Sequence, residues 1–164
     1  MISQDAFARE IRELTDTAFA VSYLILGNRA DCEDAMSEAI LKAFEGRDKL
    51  KKRDSFRAWF LRILRNEAYT LLRQRRRLTP VEELMEEEAP QTDSAGRLDL
   101  KSALSQLTEN QRTSLLLQQA GYDLNEIAEI TDAPVGTVKS RISRAKNTMR
   151  TILEDEYHGK ENAI

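Results

Sequence analysis

The sequence predicts an all-α protein made of two small helical domains and an acidic linker, and three observations lead to this prediction. Charged residues make up 32% of the 164 residues and aromatic residues 6%, with three prolines and six glycines, a composition typical of helices. Apolar residues recur every three or four positions, and no segment alternates as a half-buried strand would. The charge also reverses sharply in the middle of the chain.

The N-terminal part of the chain is predicted to hold three helices. The first carries apolar residues at helical spacing and ends at Gly27. Asp31 is predicted to cap the second helix, because an aspartate side chain can accept a hydrogen bond from the free amides of a first turn. The third helix is predicted to begin after Asp54 or Ser55 and to run from Phe56 to Arg77.

The middle of the chain differs from its flanks in charge and composition. Residues 49–77 include eleven basic and two acidic residues, whereas residues 78–100 include one basic and seven acidic residues. The second segment also contains Pro80, Pro90 and Gly96, which interrupt helices. We therefore predict an N-terminal domain at 1–77, an acidic linker at 78–100, a C-terminal domain at 101–158 and a tail at 159–164.

The C-terminal domain is predicted to contain a helix-turn-helix. Two capping boxes, 108–111 and 123–126, mark the starts of helices. The second box opens a short helix, Leu124 to Thr131, and a short turn joins it to a longer basic helix, Val135 to about Glu156. In this arrangement the second helix can enter a DNA major groove. Asp132 occupies the turn position where glycine is usual, and we expect it to adopt a left-handed backbone.

Two basic segments separated by an acidic one indicate two surfaces that bind a polyanion, because phosphate contact requires clustered Lys and Arg. The outward face of the last helix carries hydroxyls, amides and cations, the groups that contact base edges. A stripe of arginines from Arg62 to Arg76 lies beside an aromatic apolar face, which suits single-stranded bases. Trp59 and Phe60 of that face are predicted to be core residues.

The composition disfavours several other classes of protein. Cys32 is the single cysteine, so an internal disulfide is excluded, and with His158 as the single histidine a Cys/His zinc site is not expected. The sequence contains no long apolar run and no signal-peptide pattern, so we expect a cytoplasmic protein without membrane insertion. It also contains no glycine-rich phosphate loop or catalytic constellation, so we expect neither an enzyme nor a cofactor.

Three stretches of the sequence together resemble the small two-domain sigma factors of bacteria, the extracytoplasmic-function (ECF) type of the sigma-70 family, group IV. They are DCEDAMSEAILKAF at 31–44, SFRAWFLRILRNEAY at 55–69, and LNEIAEI at 124–130 followed by VGTVKSRISRA at 135–145. A helix-turn-helix alone is common, but three motifs in this order and at this separation are specific. The resemblance covers nearly the whole chain.

The resemblance implies a function and a set of partners. The chain is expected to bind core RNA polymerase through the β′ clamp and β flap, to recognise the minus-thirty-five and minus-ten elements of promoter DNA, and to promote strand opening. An anti-sigma factor is expected to occlude its polymerase-binding surfaces. The chain would then be nucleoid-associated when active and membrane-tethered when a membrane-bound anti-sigma factor holds it.

The resemblance also implies three sets of site residues. The clamp set, expected on the polymerase β′ clamp, is Asp31, Asp34, Glu38 and Leu41. The minus-ten set, expected to hold a flipped base and adjacent phosphates, is Lys49, Lys51, Lys52, Arg53, Ser55, Arg62, Arg65, Asn66 and Arg73. The minus-thirty-five set is Thr137, Lys139, Ser140, Ser143 and Arg144, with Arg112 and Asn125 supporting the DNA backbone.

Two alternatives come from other functional classes. A sigma-like decoy would capture an anti-sigma factor without initiating transcription, but such a protein has no need of Lys139 or Arg144. A dimeric repressor would need a ligand pocket or a dimerisation helix, and neither is evident. For the linker segment 82–93, two interpretations remain open: a strand that threads a basic polymerase channel normally used by RNA, or a soluble tether.

Overall fold

A computed structural model describes residues 1–51, 55–78, 100 and 102–162 of the chain. Lys52 and Arg53 of the minus-ten set and residues 79–99 of the predicted linker lie outside the described residues. Within the described ranges there is no strand, in agreement with the predicted all-helical class. The helices with defined bounds are α1 (Gln4–Leu26), α2 (Arg29–Glu45), α3 (Phe56–Leu78), α4 (Glu109–Gln119), α5 (Leu124–Thr131) and α6 (Val135–Asn162).

The N-terminal domain packs α1, α2 and α3 against one another. Helix α1 ends at Gly27, which has a φ of 76°, as predicted from the glycine. The prediction that Asp31 caps α2 is wrong. Asn28 is the cap, and its Oδ1 accepts a hydrogen bond from the backbone amide of Asp31 at 2.9 Å. The extended backbone of Asn28 starts the helix earlier, so that Asp31 lies in its first turn.

The core of this domain combines small residues of α2 with large residues of α3. Every fourth residue of α2 from Ala35 to Ala43 is a buried alanine, which allows the neighbouring helices to approach closely. The ring of Phe7 makes edge contacts with Phe44 and Phe56 at centroid distances of 5.4 and 5.6 Å. Phe60 is fully buried, which confirms it as a core residue, whereas Trp59 is partly buried and packs against the core.

Cys32 lies inside the same domain and is fully buried on α2. Its thiol contacts the side chain of Ser22 on α1. Burial is the main reason why the pKa of the Cys32 thiol is raised above its ordinary value. The residue therefore behaves as a small packed side chain between two helices.

The C-terminal domain contains the predicted helix-turn-helix. Both capping boxes form: Thr108 with Gln111 begins α4, and Asp123 with Glu126 begins α5. Helix α5 has the predicted bounds, and Asp132 ends it with φ 51° and ψ 51°, the expected left-handed backbone. Four apolar residues of α5 and α6 are buried between these helices and α4: Ile127, Ile130, Val138 and Ile142.

Helix α6 is longer than the sequence predicts. It continues to Asn162, six residues beyond the predicted end at Glu156. No proline interrupts this segment, and Gly159 costs a helix only about 1 kcal/mol relative to alanine. The helix therefore continues past Glu156, because no residue near that position would end it.

The two domains are in contact with each other. Helix α3 packs against α5, and α1 packs against α4. One apolar cluster extends from Leu64 in the N-terminal domain to Leu117, Tyr122 and Ile127 in the C-terminal domain. Among the helices in the described ranges, none is both long and apolar enough to span a bilayer.

Candidate nucleic-acid interface

The first half of α6 presents a polar face to solvent. Val138, Ile142 and Ala145 are buried and hold the helix against the rest of the C-terminal domain. This register leaves the base-facing members of the minus-thirty-five set exposed: Thr137, Lys139, Ser140, Ser143 and Arg144. The face thus combines two cations with three hydroxyls, which are groups that can bond guanine and phosphates in a major groove.

The two residues expected to support the DNA backbone have different surroundings. Asn125 is exposed at the start of α5. Arg112 is half-buried, and its Nη1 donates to the carbonyl oxygens of Leu104 and Leu107 at 3.2 and 2.8 Å. Arg112 therefore ties the segment before α4 to that helix.

Five of the seven described members of the minus-ten set are exposed: Lys49 and Lys51 after α2, and Arg62, Asn66 and Arg73 on α3. Ser55 is half-buried and Arg65 is buried. Three of the seven, Ser55, Arg62 and Arg65, contact residues of the C-terminal domain. We call the contact between α3 with Ser55 and the C-terminal domain the domain interface.

Arg57 and Glu126 form the strongest pair of the domain interface. The guanidinium of Arg57 donates through Nε and Nη2 to the two carboxylate oxygens of Glu126, each at 2.6 Å. Arg57 also lies over the ring of Tyr122, 4.1 Å from its centroid, and donates to the carbonyl oxygen of Gly121. The hydroxyl of Ser55 donates to the same carboxylate at 3.0 Å.

These contacts change the acidity of Glu126. The hydrogen bond from Arg57 is the main cause that lowers the pKa of Glu126 from 4.5 to about 2. The backbone amide of Asp123 and the hydroxyl of Ser55 act in the same direction, while burial opposes them. Glu126 therefore serves both the capping box of α5 and the contact with the other domain.

Arg65 is the centre of a second part of the domain interface. Only 8% of this residue is exposed, and its Nη2 donates to Asn110 Oδ1 at 2.5 Å and to Glu109 Oε2 at 3.1 Å. The hydroxyl of Tyr69 donates to the same oxygen of Glu109. Burial is the main cause that raises the pKa of Tyr69 to about 12, so this hydroxyl keeps its proton and remains a donor.

Arg62 and Asp132 form a third, looser contact. The Nη2 of Arg62 lies 3.5 Å from Asp132 Oδ1, and the two side chains are 47% and 82% exposed. An ion pair with this exposure contributes little to stability. It nevertheless brings the turn of the helix-turn-helix opposite a residue of the minus-ten set.

The domain interface is not predicted from the sequence. Glu126 is predicted only as part of a capping box, Arg57 has no predicted role, and no prediction pairs Arg65 with Glu109. Arg57 and Glu126 are 69 positions apart, so no local spacing rule could pair them. The sequence contains many basic and acidic residues, and the sign of a side chain's charge does not indicate which residue of opposite charge it pairs with.

The clamp set lies along α2, beside α3. Asp31 and Asp34 face Arg75 of α3, with side-chain N–O distances of 3.1 and 3.6 Å. Glu38 is exposed, and Leu41 is 51% exposed. Next to them a groove of about 360 Å³ runs between α2 and α3, lined by Asp34, Ala35, Glu38, Lys42, Glu67, Thr70, Leu71 and Gln74.

Family comparisons match the chain in two parts. Residues 6–78 match the model described as Sigma-70 region 2, and residues 97–149 match the model described as Sigma-70, region 4. The ECF RNA polymerase sigma factor SigW of Bacillus subtilis (strain 168) is 29% identical over 170 residues, covering 93% of this chain and 91% of SigW. The ECF RNA polymerase sigma factor EcfG of Rhodopseudomonas palustris (strain TIE-1) is 31% identical over 144 residues, covering 83% and 77%.

Two solved structures resemble the chain over most of its length. The sigma factor RpoE from Bartonella quintana, in complex with the anti-sigma factor NepR, gives a TM-score of 0.74 at 28% identity and covers 90% of this chain and 96% of its own. CnrH, in complex with the cytosolic domain of CnrY, gives a TM-score of 0.68 at 22% identity and covers 93% and 90%, a likeness of fold alone.

Proposed function

Because this chain belongs to the ECF sigma factors of the sigma-70 family, we propose that it binds core RNA polymerase, recognises promoter DNA and promotes strand opening at the start of transcription. The observation that carries the proposal is the presence of both sigma-70 regions in one chain, in order, each with its own basic helix. Region 4 would contact duplex DNA, and region 2 would contact the non-template single strand.

The C-terminal domain would set the position on the promoter. Helix α6 is exposed along the minus-thirty-five set and follows a short helix and a tight turn, the geometry with which a helix enters a major groove. Arg144 and Lys139 can bond guanine or phosphate, and the hydroxyl groups can bond several bases. The ligand of this face would be duplex DNA.

The N-terminal domain would capture bases of the non-template strand as the duplex opens. Taking a base out of the stack costs a few kcal/mol, so the energy must come from a rigid pocket and from polymerase binding. Helix α3 is rigid because Phe60, Leu61 and Leu64 anchor it in the core. The free chain is therefore expected to bind promoter DNA poorly.

The clamp set would hold the polymerase. The exposed side chains of Glu38 and Leu41, next to Asp34, offer an apolar contact flanked by carboxylates, which suits a basic helical partner such as the β′ clamp. The C-terminal domain would meet the β flap. The acidic segment 82–93 would either thread a basic polymerase channel or act as a tether.

An anti-sigma factor would regulate the chain. RpoE from Bartonella quintana is in complex with the anti-sigma factor NepR, and this supports the same type of partner here. We expect the chain to act in the cytoplasm, associated with the nucleoid when active. A membrane-bound anti-sigma factor would tether it to the membrane when inactive.

The test is transcription in vitro with core polymerase and genomic templates. Adding the purified chain is expected to produce transcripts whose start sites share upstream elements and vanish without the chain. A double substitution, Asp34→Asn with Glu38→Gln, is expected to abolish core binding and transcripts while the helical circular dichroism stays unchanged. The matched control is Asp5→Asn with Glu13→Gln, two exposed positions on α1. A chain that binds an anti-sigma factor but yields no transcript would be a decoy, and the proposal would be wrong.

A further inference from the structure

We propose that Asp31 does not contact the polymerase itself but is a positioning residue that holds Arg75 away from Asp34, so that Asp34 keeps its charge for the polymerase. The inference rests on the proposed function of Asp34 and Glu38 as contacts of the β′ clamp. It divides the clamp set into residues that face the partner and one that acts through another side chain. Arg75, which belongs to none of the three sets, is that side chain.

The first step of the argument is that both oxygens of the Asp31 carboxylate are already engaged. Oδ2 accepts a hydrogen bond from Asn28 Nδ2 at 2.9 Å, and Oδ1 lies 3.1 Å from Arg75 Nη2. The Asp31 side chain is only 16% exposed. A cation of the polymerase would have to displace one of these two donors to reach Asp31, so this carboxylate is poorly placed for a direct contact.

The second step is the different environment of Asp34, about one helical turn further along α2. The Asp34 side chain is 65% exposed, and its Oδ2 is 3.6 Å from the same nitrogen of Arg75, beyond the range of a good hydrogen bond. The guanidinium of Arg75 therefore lies closer to Asp31 than to Asp34. Asp34 is left as an exposed carboxylate with a loose partner, which a cation from another protein can approach.

The third step is the electrostatic effect of the two helix ends. Asp31 lies in the first turn of α2, where the free backbone amides favour a negative side chain. Arg75 lies in the last turn of α3, where the free carbonyl groups favour a positive one. Asp34 lies beyond the first turn and gains less from this effect. When Asp31 loses its charge, Asp34 is the carboxylate still within reach of Arg75, and the guanidinium is expected to close on it.

The consequence falls on the groove between α2 and α3. Of the residues that line this groove, three are carboxylates: Asp34, Glu38 and Glu67. Glu67 is 14% exposed and lies 2.5 Å from the Nζ of Lys42, so Asp34 and Glu38 are the two that face solvent. Arg75 placed on Asp34 would neutralise one of these two charges and set a cation at the edge of the groove, where it would repel a basic partner.

The experiment measures the Kd for core polymerase by fluorescence anisotropy of the N-terminally labelled, full-length chain. Asp31→Asn keeps an oxygen for Asn28 but loses the charge that holds Arg75, and it is expected to raise the Kd about fivefold, the size of one exposed ion pair. Arg75→Gln is expected to bind at least as tightly as the wild type. Adding Arg75→Gln to Asp31→Asn is expected to return the Kd to within about twofold of the wild type.

Two control variants separate the position of Arg75 from the net charge of the chain. Asp31→Asn with Arg29→Gln has the same net charge as the rescued double variant but keeps Arg75, and it is expected to stay about fivefold weaker than the wild type. Arg29 is 81% exposed and pairs with Glu33. Glu33→Gln makes the same change in charge as Asp31→Asn on the same helix, and it is expected to change the Kd by less than about twofold. Circular dichroism checks that each variant is folded.

Rescue by Arg75→Gln but not by Arg29→Gln would support the proposal. The same loss for Asp31→Asn with and without Arg75→Gln would show that Asp31 contacts the polymerase directly. Equal losses for Asp31→Asn and Arg75→Gln alone would show that their ion pair only holds α2 against α3. An unchanged Kd for Asp31→Asn would show that Arg75 does not move onto Asp34. Each of these three results overturns the inference while the wild type still binds core polymerase, whereas a wild type that does not bind would contradict the proposed function itself.

Discussion

The backbone of Asp132 is strained in a way that the sequence predicts. A left-handed conformation costs an ordinary L-residue roughly 1–2 kcal/mol, and Asp is one of the few residues that adopts it as a single position. The residue has a φ of 51° and ends α5 by giving its amide to the carbonyl groups of the last turn. Its side chain faces the exposed Arg62, a contact of small value.

Asp132→Gly is therefore expected to stabilise the protein by about 0.5–1 kcal/mol, because relief of strain exceeds the greater chain entropy of glycine. The measurement is the free energy of unfolding in urea. Asp132→Asn is the control: asparagine tolerates the same backbone without the charge, and little change is expected. A glycine variant less stable than the wild type would mean that the contact with Arg62 matters more than the backbone.

The depressed pKa of Glu126 predicts a particular pH dependence. A carboxyl group with a folded pKa of about 2, below the ordinary 4.5, adds stability above pH 4.5 and loses it as the pH falls toward 2. The difference in free energy of unfolding between the wild type and Glu126→Gln is expected to be constant near neutral pH and to shrink across that window. Urea unfolding at several pH values measures it, and carboxylates common to both chains cancel. A difference that persists to about pH 2 would contradict the ion pair with Arg57.

At the scale of single elements, local signals decide how well the sequence predicts the fold. Helix α5 has eight residues, too few to be stable in isolation, yet its bounds are predicted correctly. A capping box marks its start and a left-handed Asp its end. The start of α2 is mispredicted because Asn28 and Asp31 are both good caps, and the local sequence does not choose between them. The end of α6 is mispredicted because no breaker precedes Asn162.

Helix α6 carries a prediction about sequence recognition. Arg144→Ala is expected to cost about 1–3 kcal/mol of binding at one base position of the upstream element, because an arginine can bond one guanine through two donors. The measurement is the affinity of the polymerase complex for duplexes that vary at each position. Lys146→Ala, exposed on the same helix but outside the minus-thirty-five set, is the control. An equal loss for Arg144→Ala on every duplex would make Arg144 a phosphate contact.

At the scale of the whole molecule, the net charge of −3 hides the distribution that matters. The basic helices α3 and α6 and the acidic face of α2 differ in charge, and under the proposed function each would bind a different partner. The two domains nevertheless share one apolar cluster. Their unfolding is therefore expected to be coupled.

Leu64→Ala tests this coupling. Leu64 is fully buried in the N-terminal domain, and its truncation is expected to cost about 2–5 kcal/mol. Scanning calorimetry is expected to give one transition for the wild type and one, at lower temperature, for the variant. The control is Leu153→Ala, since Leu153 is 45% exposed and its loss should change stability by less than about 0.5 kcal/mol. Two transitions, of which only one moves, would show that the domains melt independently.

The architecture of each domain could be predicted from the sequence, and the arrangement of the two domains could not. Helical spacing, capping boxes and turn residues act over a few positions, and they specify the bundle and the helix-turn-helix. The domain interface depends on pairs such as Arg57 with Glu126 and Arg65 with Glu109, which are 69 and 44 positions apart in the sequence. The roles of the minus-thirty-five, minus-ten and clamp sets stay predictions.

The burial of Cys32 has a practical consequence. The chain has a single sulfhydryl, and both its inaccessibility and its raised pKa suppress attack on a disulfide reagent such as Ellman's. Its rate of modification consequently reports how often α1 and α2 separate. Labelling of this one thiol can therefore be used to follow the opening of the N-terminal domain in the unmodified chain, without an added dye.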